Sequence, residues 1–222
     1  MKYVLLVGDG MCDYPIESLA NRTPLQVAKK PNLDFIAKNG RVGIISTIPN
    51  GMPPASDVAN LNILGYDPKM YYTGRGPLEA ANIGVKLNAD EIAFRCNFIT
   101  ASTDTLVDYS AGHISTKEAS ILIQFLNEKL GNERIKFYTG TSYRHLLVIK
   151  DANLITNLKI VECIPPHDIL GGSITKNLPK GEAREILLEL MNRSRELLNN
   201  HEINQVRIDL KENPANMIWL WG

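Results

Sequence analysis

Ser56 and Asp9 are the residues of this chain whose types and surroundings point most directly to chemistry. Ser56 follows a turn-rich run, Asn50-Gly51-Met52-Pro53-Pro54, and precedes apolar residues at helical spacing, Val58, Leu61 and Leu64. A serine there is either a helix cap or a nucleophile whose oxygen faces the positive end of a helix. Asp9 lies in Gly8-Asp9-Gly10, directly after the apolar run Tyr3–Val7. If that run is a central strand, Asp9 sits where open α/β sheets place ligands; otherwise it is an ordinary turn aspartate. Val42–Thr47 reads as a second strand leading to Ser56. Two such strand ends at one sheet edge are what a metal and phosphate site needs.

The histidines are weaker candidates. His113 follows Ala111-Gly112, His145 adjoins Arg144, and His167 adjoins Asp168 after two prolines. Each is expected in a loop or strand end that meets polar ligands. His201, after the longest amphipathic segment, is expected as a dipole partner at that helix's C-terminus. No HExxH pair, P-loop or GxSxG elbow is present. Arg75, between two glycines, is placed to reach an anion or to sit in solvent.

The elements that must position these residues follow from pattern. A helix-containing link is expected before Gly40, and a helix after Ser56. From about residue 85 the texture becomes strand-rich: Glu91–Thr100 pairs with Thr105–Tyr109 in a hairpin. Ser115-Thr116-Lys117-Glu118 has the shape of a capping box and opens a helix to Leu130, closed by Gly131. Ile135–Tyr138 and His145–Ile149 read as two further strands. Residues 182–200 are the clearest amphipathic helix. Met217–Trp221 is an apolar strand.

Composition sets bounds. The 222 residues are 44% hydrophobic and 22% charged, enough for a substantial core, with 24 basic and 24 acidic side chains. Without a basic stripe, nucleic acid is not an expected partner. No span reaches transmembrane length, so no membrane partner is expected. Cys12, Cys96 and Cys163 are widely spaced and suggest neither disulfides nor a zinc ribbon. A cytoplasmic location is expected.

Beyond these local arguments, LVGDGMCDYP, PPASDVANLNILGYDP, YTGRGPLEAA, DYSAGHIST, YRHLLV, PPHDI and NPANMIWLWG together resemble the archaeal-type, cofactor-independent phosphoglycerate mutases of the alkaline phosphatase-like superfamily. The resemblance runs over essentially the whole chain. It implies an α/β fold: part of an alkaline phosphatase-like core, with a parallel-type sheet and flanking helices, plus an inserted α+β substrate-binding domain. The implied division is residues 1–84 for the first part of the core, 85–212 for the insert and 213–222 for a return strand.

By the same resemblance, Ser56 is the phosphoryl-accepting nucleophile and a metal ligand, and Asp9 is a ligand of the same metal. His113 and Arg144 are implied as contacts to phosphoglycerate. The cofactors implied are two divalent metals (Mn, Mg or Zn), with no 2,3-bisphosphoglycerate. The family's further Asp and His ligands lie beyond NPANMIWLWG and do not occur here. The isolated chain is therefore expected to be inactive, its C-terminal core absent or supplied by a separate chain. A phosphatase or phosphodiesterase of the same superfamily, or a non-catalytic remnant, are the alternatives.

Overall fold

The computed structural model describes all residues from Met1 to Gly222, in two compact units, Met1–Pro49 and Asn50–Gly222. The first unit contains helices α1 (Pro24–Val27) and α2 (Pro31–Asn39) and a single turn of 3-10 helix at Glu17–Leu19. A capping box starts α1, with Thr23 and Gln26 exchanging side-chain and backbone bonds. Prolines stand at the first turn of both helices, where their missing N–H costs nothing.

The expected strands at residues 3–7 and 42–47 are not formed. No residue of the first unit is buried, and Val4 and Ile44 are 90% and 104% exposed. An apolar run becomes a central strand only when neighbours supply its ladder and layers cover both faces. This unit supplies neither, so the apolar pattern is present without its structure.

The second unit is built on an antiparallel sheet, not on a parallel one. Its strands are β1 (Glu91–Ala101), β2 (Leu106–Asp108), β3 (Ile135–Thr141), β4 (Arg144–Lys150) and β5 (Met217–Trp221). The order β2-β1-β4-β3 is joined by β5 on β1, and every pairing is antiparallel. The β1–β2 hairpin expected from sequence is present, and the two further expected strands pair with each other as β3 and β4. Strand β5 pairs along Arg95–Ile99, so the last apolar run of the chain is an integral part of this sheet.

Alternation on the strands divides the sheet into two faces. Phe94, Cys96 and Phe98 of β1, with Leu147 and Ile149 of β4, join the main core. That core is closed by α6 (Thr116–Leu130) and α8 (Arg184–Asn199), through Leu122, Leu126, Leu187 and Met191. Helix α6 starts at the expected capping box, Ser115 with Glu118. His201 does not serve the end of α8: it caps α9 (Glu202–Asp209), its Nδ1 accepting from the Ile203 amide at 3.2 Å. A helix restarting immediately afterwards needs that acceptor for its own unpaired N–H groups.

The opposite face carries Ala93, Leu146 and Val148, packed by Ala80 of α5 (Arg75–Asn82). The same unit also contains α3 (Ser56–Ile63), α4 (Pro68–Tyr71) and α7 (Ile155–Leu158). No helix is long and apolar enough to cross a membrane.

Candidate active site

Ser56 is the first residue of α3; the capping position falls on Ala55, whose side chain provides no cap. Its neighbour Asp57 binds that helix to the elements after it. Asp57 Oδ2 accepts from the Tyr72 hydroxyl at 2.7 Å and from Arg75 Nε at 3.0 Å, while Oδ1 accepts from Arg75 Nη2 at 3.3 Å. Burial raises the Asp57 pKa, but the Tyr72 and Arg75 bonds outweigh it and hold the carboxyl below its ordinary 3.8. The same pair of effects, burial first and Asp57 second, pushes the Tyr72 phenol up to about 12.

Helix α5 carries Arg75 to the sheet. A Cβ on Gly76 would lie 2.0 Å from the Ala93 carbonyl oxygen, so only glycine lets the helix approach β1 this closely. The Gly76 amide donates to the Gly222 carbonyl, which docks α5 against β5 as well. From β1, Arg95 Nη2 reaches Glu79 of α5 at 3.4 Å. Between these elements lies a cleft of about 320 Å³, lined by Ser56, Asp57, Asn60, Arg75, Glu79 and Arg95. A second cleft, of about 410 Å³, adjoins Arg75 and includes Tyr72, His167 and Trp221.

Around Trp221 the charge is concentrated. The Arg75 and Arg95 guanidiniums lie 5.1 and 5.2 Å from its ring centroid. Burial lowers the Arg95 pKa, Glu79 opposes this, and the like charges of Arg144 and Arg75 add to it. A hydroxyl with two guanidiniums in one cleft is an arrangement able to hold an anion beside a nucleophile.

His113 and Arg144 converge on Tyr143. The His113 ring lies 6.1 Å from the Tyr143 ring, and the Arg144 guanidinium 5.7 Å from it. Both side chains are exposed. Ring contacts continue from Tyr143 to Tyr109, His167 and Trp221, at 6.0, 6.3 and 5.5 Å. The two residues thus belong to a continuous row of aromatic and cationic side chains that ends at Trp221 and the arginines beside Ser56. The loop at His113 is left-handed: Ala111, Gly112 and His113 have φ of 49°, 65° and 51° in succession. Left-handed backbone at non-glycine residues costs about 1–2 kcal/mol each and persists only where bonds enforce it. Asp108 accepts from the Ser110 and Gly112 amides, and buried Arg207 donates to the Ala111 carbonyl at 2.9 Å.

Asp9 lies in the first unit, exposed, in a turn with Gly10. His145 is fully buried against Phe98 and accepts from the Gly140 amide, so it is a core histidine and meets no polar ligand. Sequence reasoning missed Arg95, Tyr143 and Trp221. The visible signal was Arg95 itself, a charge between the apolar Phe94 and Cys96. No group of three or more His, Cys, Asp or Glu side chains is placed to hold a metal ion. The residues present do not amount to a metal site of their own.

Residues 37–204 match the family model described as 2,3-bisphosphoglycerate-independent phosphoglycerate mutase. Curated relatives of that name from Methanosarcina barkeri and Methanosarcina mazei are 52% and 54% identical over all of this chain. The chain spans 55% of each, about half the length of the curated relatives it matches. Among solved structures, it is similar to the cofactor-independent phosphoglycerate mutase of Thermoplasma acidophilum, with TM-score 0.59 and 28% identity over 96% of this chain and 56% of that one. A Pyrococcus horikoshii protein gives TM-score 0.63 and 30% identity over 96% of this chain and 49% of that one. A family model matching most of the chain, on a fold shared with a solved mutase, settles the assignment: this chain belongs to the 2,3-bisphosphoglycerate-independent phosphoglycerate mutase family.

Proposed function

We propose that this chain is the N-terminal part of an enzyme that interconverts 3-phosphoglycerate and 2-phosphoglycerate through a phosphoserine at Ser56. The observation that carries the reading is the cleft in which Ser56 shares a wall with Arg75 and Arg95. Ser56 Oγ forms a bond to phosphorus as the phosphorus bond to the substrate's C3 oxygen breaks, and the serine proton passes to that oxygen, leaving glycerate. The C2 hydroxyl of glycerate then takes the phosphoryl group, and the serine regains its proton. The Arg75 guanidinium stabilises charge on the transferring oxygens, and His113 and Arg144 contact the phosphoglycerate.

In this reading residues 1–84 are the first part of an alkaline phosphatase-like core, 85–212 are the substrate domain and 213–222 lead back to the core. Asp9 and Ser56 are proposed metal ligands, for Mn, Mg or Zn. Because the chain alone lacks a complete ligand set, the rest comes from a portion corresponding to the half of the relatives that it does not span. A divalent ion bound there would supply charge neutralisation at the phosphoryl group. By itself the chain is inactive.

The test is to combine the purified chain with the remaining portion of the Methanosarcina mazei relative, manganese and 3-phosphoglycerate. Formation of 2-phosphoglycerate, a phosphate on Ser56 by mass spectrometry, and loss of both in Ser56→Ala are expected. Turnover that survives Ser56→Ala sinks the reading, as does a complex that forms but neither turns over nor phosphorylates Ser56.

A further inference from the structure

Four buried side-chain polar atoms have no hydrogen-bond partner: Arg95 Nε, Asn97 Oδ1, His145 Nε2 and Trp221 Nε1. Three of them share one face of the sheet. Arg95 and Asn97 stand two residues apart on β1, within unbroken register, and Trp221 of β5 is directly opposite Arg95. Arg144 of β4 is directly opposite Asn97. His145, one residue out of phase, belongs to the apolar face.

Each unpaired buried group costs about 1–3 kcal/mol, so three on one face call for an explanation. Asn97 is 2% and Trp221 4% exposed, which leaves bulk water little access. Neighbouring side chains are already committed. Glu79 takes Arg95 Nη2, Asp57 takes Arg75 Nε and Nη2, and the other indole on β5, Trp219, donates to the Ile164 carbonyl at 2.8 Å. What is left over has a definite chemical sense. Arg95 Nε and Trp221 Nε1 can only donate, and Asn97 Oδ1 can only accept. The guanidiniums of Arg75, Arg95 and Arg144 stand on this face with the carboxylates of Asp57 and Glu79, and the exposed Asp168 lines the cleft that Arg75 and Trp221 share.

We propose that this sheet face is a built site for the carboxylate and neighbouring hydroxyl of a small hydroxy acid. Arg95 Nε–H and Trp221 Nε1–H donate to the carboxylate, and Asn97 Oδ1 accepts from the hydroxyl. This division leaves the phosphoryl group to the Ser56 cleft and assigns specificity for the organic part of the substrate to β1 and β5. It deepens the phosphoglycerate reading, from which it takes the identity of the acid.

The chain has two tryptophans, so its ¹⁵N-labelled form gives two indole N–H signals, assigned with Trp221→Phe. Titration with D-glycerate shifts the Trp221 signal and leaves that of Trp219 in place. Propionate, which lacks the hydroxyl, binds more weakly, and inorganic sulfate at equal concentration leaves Trp221 unmoved. Arg95→Met weakens D-glycerate binding about tenfold or more. The Trp219 signal reports whether that variant is still folded. A Trp221 signal indifferent to D-glycerate, or equally responsive to sulfate, overturns the proposal; so does unchanged binding by a folded Arg95→Met chain. The two readings fail separately. Glycerate bound at Trp221 without phosphorylation of Ser56 leaves this site and removes the mutase, whereas an active reconstituted enzyme with unchanged KM in Arg95→Met removes only this site.

Discussion

Asp57 and Arg75, eighteen residues apart, are joined by two hydrogen bonds at 3.0 and 3.3 Å. The pair fixes the first turn of α3, which begins with Ser56, to the first residue of α5, which lies against the sheet. Tyr72 closes the same link from between the helices. The position of Ser56 relative to the arginines therefore depends on a carboxylate that the proposed chemistry never uses.

Removing that carboxylate is informative. Asp57→Asn keeps the size and loses the charge, at an expected cost of about 2 kcal/mol for hydrogen bonds to a partly exposed charged group. Urea denaturation measures the loss. Tyr72 reports it independently. Its pKa is raised to about 12, so its contribution to stability is complete below pH 10 and is lost as pH rises toward 12. In Asp57→Asn the phenol titrates earlier in an ultraviolet alkaline titration. An unchanged titration would mean that burial alone sets it.

Gly76 is the contact point of α5 with β1. Gly76→Ala places a methyl group against the Ala93 carbonyl and forces the helix outward, at about 1–3 kcal/mol by analogy with overpacked cores. The usual gain from replacing a helical glycine is reversed. Thermal denaturation gives the sign directly, and a stabilised Gly76→Ala would show that α5 is not held this closely.

Arg207 is 3% exposed and donates to Ala111, Asn213 and Glu118. Arg207→Met fills similar volume but leaves the Ala111 carbonyl unpaired, costing about 2 kcal/mol with the exposed carboxylate partners discounted. Its specific signature is local: the Gly112 amide, held by Asp108, exchanges with solvent faster than amides of α6. Uniform acceleration across the unit would instead point to global destabilisation.

His145 sets an acid limit. Burial lowers its pKa to about 3, and the folded state holds it neutral. Its contribution is complete above pH 6.5, the ordinary histidine value, and is lost progressively as pH falls toward 3. Tm falls over that interval. His145→Leu lowers Tm at pH 7, because the Gly140 amide loses its acceptor, but it flattens the dependence between pH 6.5 and 4.5. An equally steep fall in the variant assigns the acid sensitivity elsewhere.

The apolar runs at residues 3–7 and 42–47 give the clearest contrast with the α5–sheet contact. Their backbone amides are expected to exchange rapidly in the isolated chain and to become protected when the remaining portion of a relative is added. Hydrogen exchange by mass spectrometry distinguishes the two states, and protection in the isolated chain would mean that these runs are already paired.

Local physics was sufficient for much of this molecule. The Ser115–Glu118 capping box, the β1–β2 hairpin, strands β3 and β4, the amphipathic α8 and the start of α3 at Ser56 all depend on nearest neighbours and side-chain period, which the amino-acid order states directly. It was insufficient where a segment needs a partner. Residues 3–7 and 42–47 carry the strand pattern, but a buried parallel strand exists only inside a covered sheet. The candidate site is of the second kind. Arg75, Arg95 and Trp221 are far apart in the chain and meet because β5 pairs with β1 while Gly76 admits α5 to the same face. Register decides which side chains stand opposite one another, and only the folded sheet fixes register.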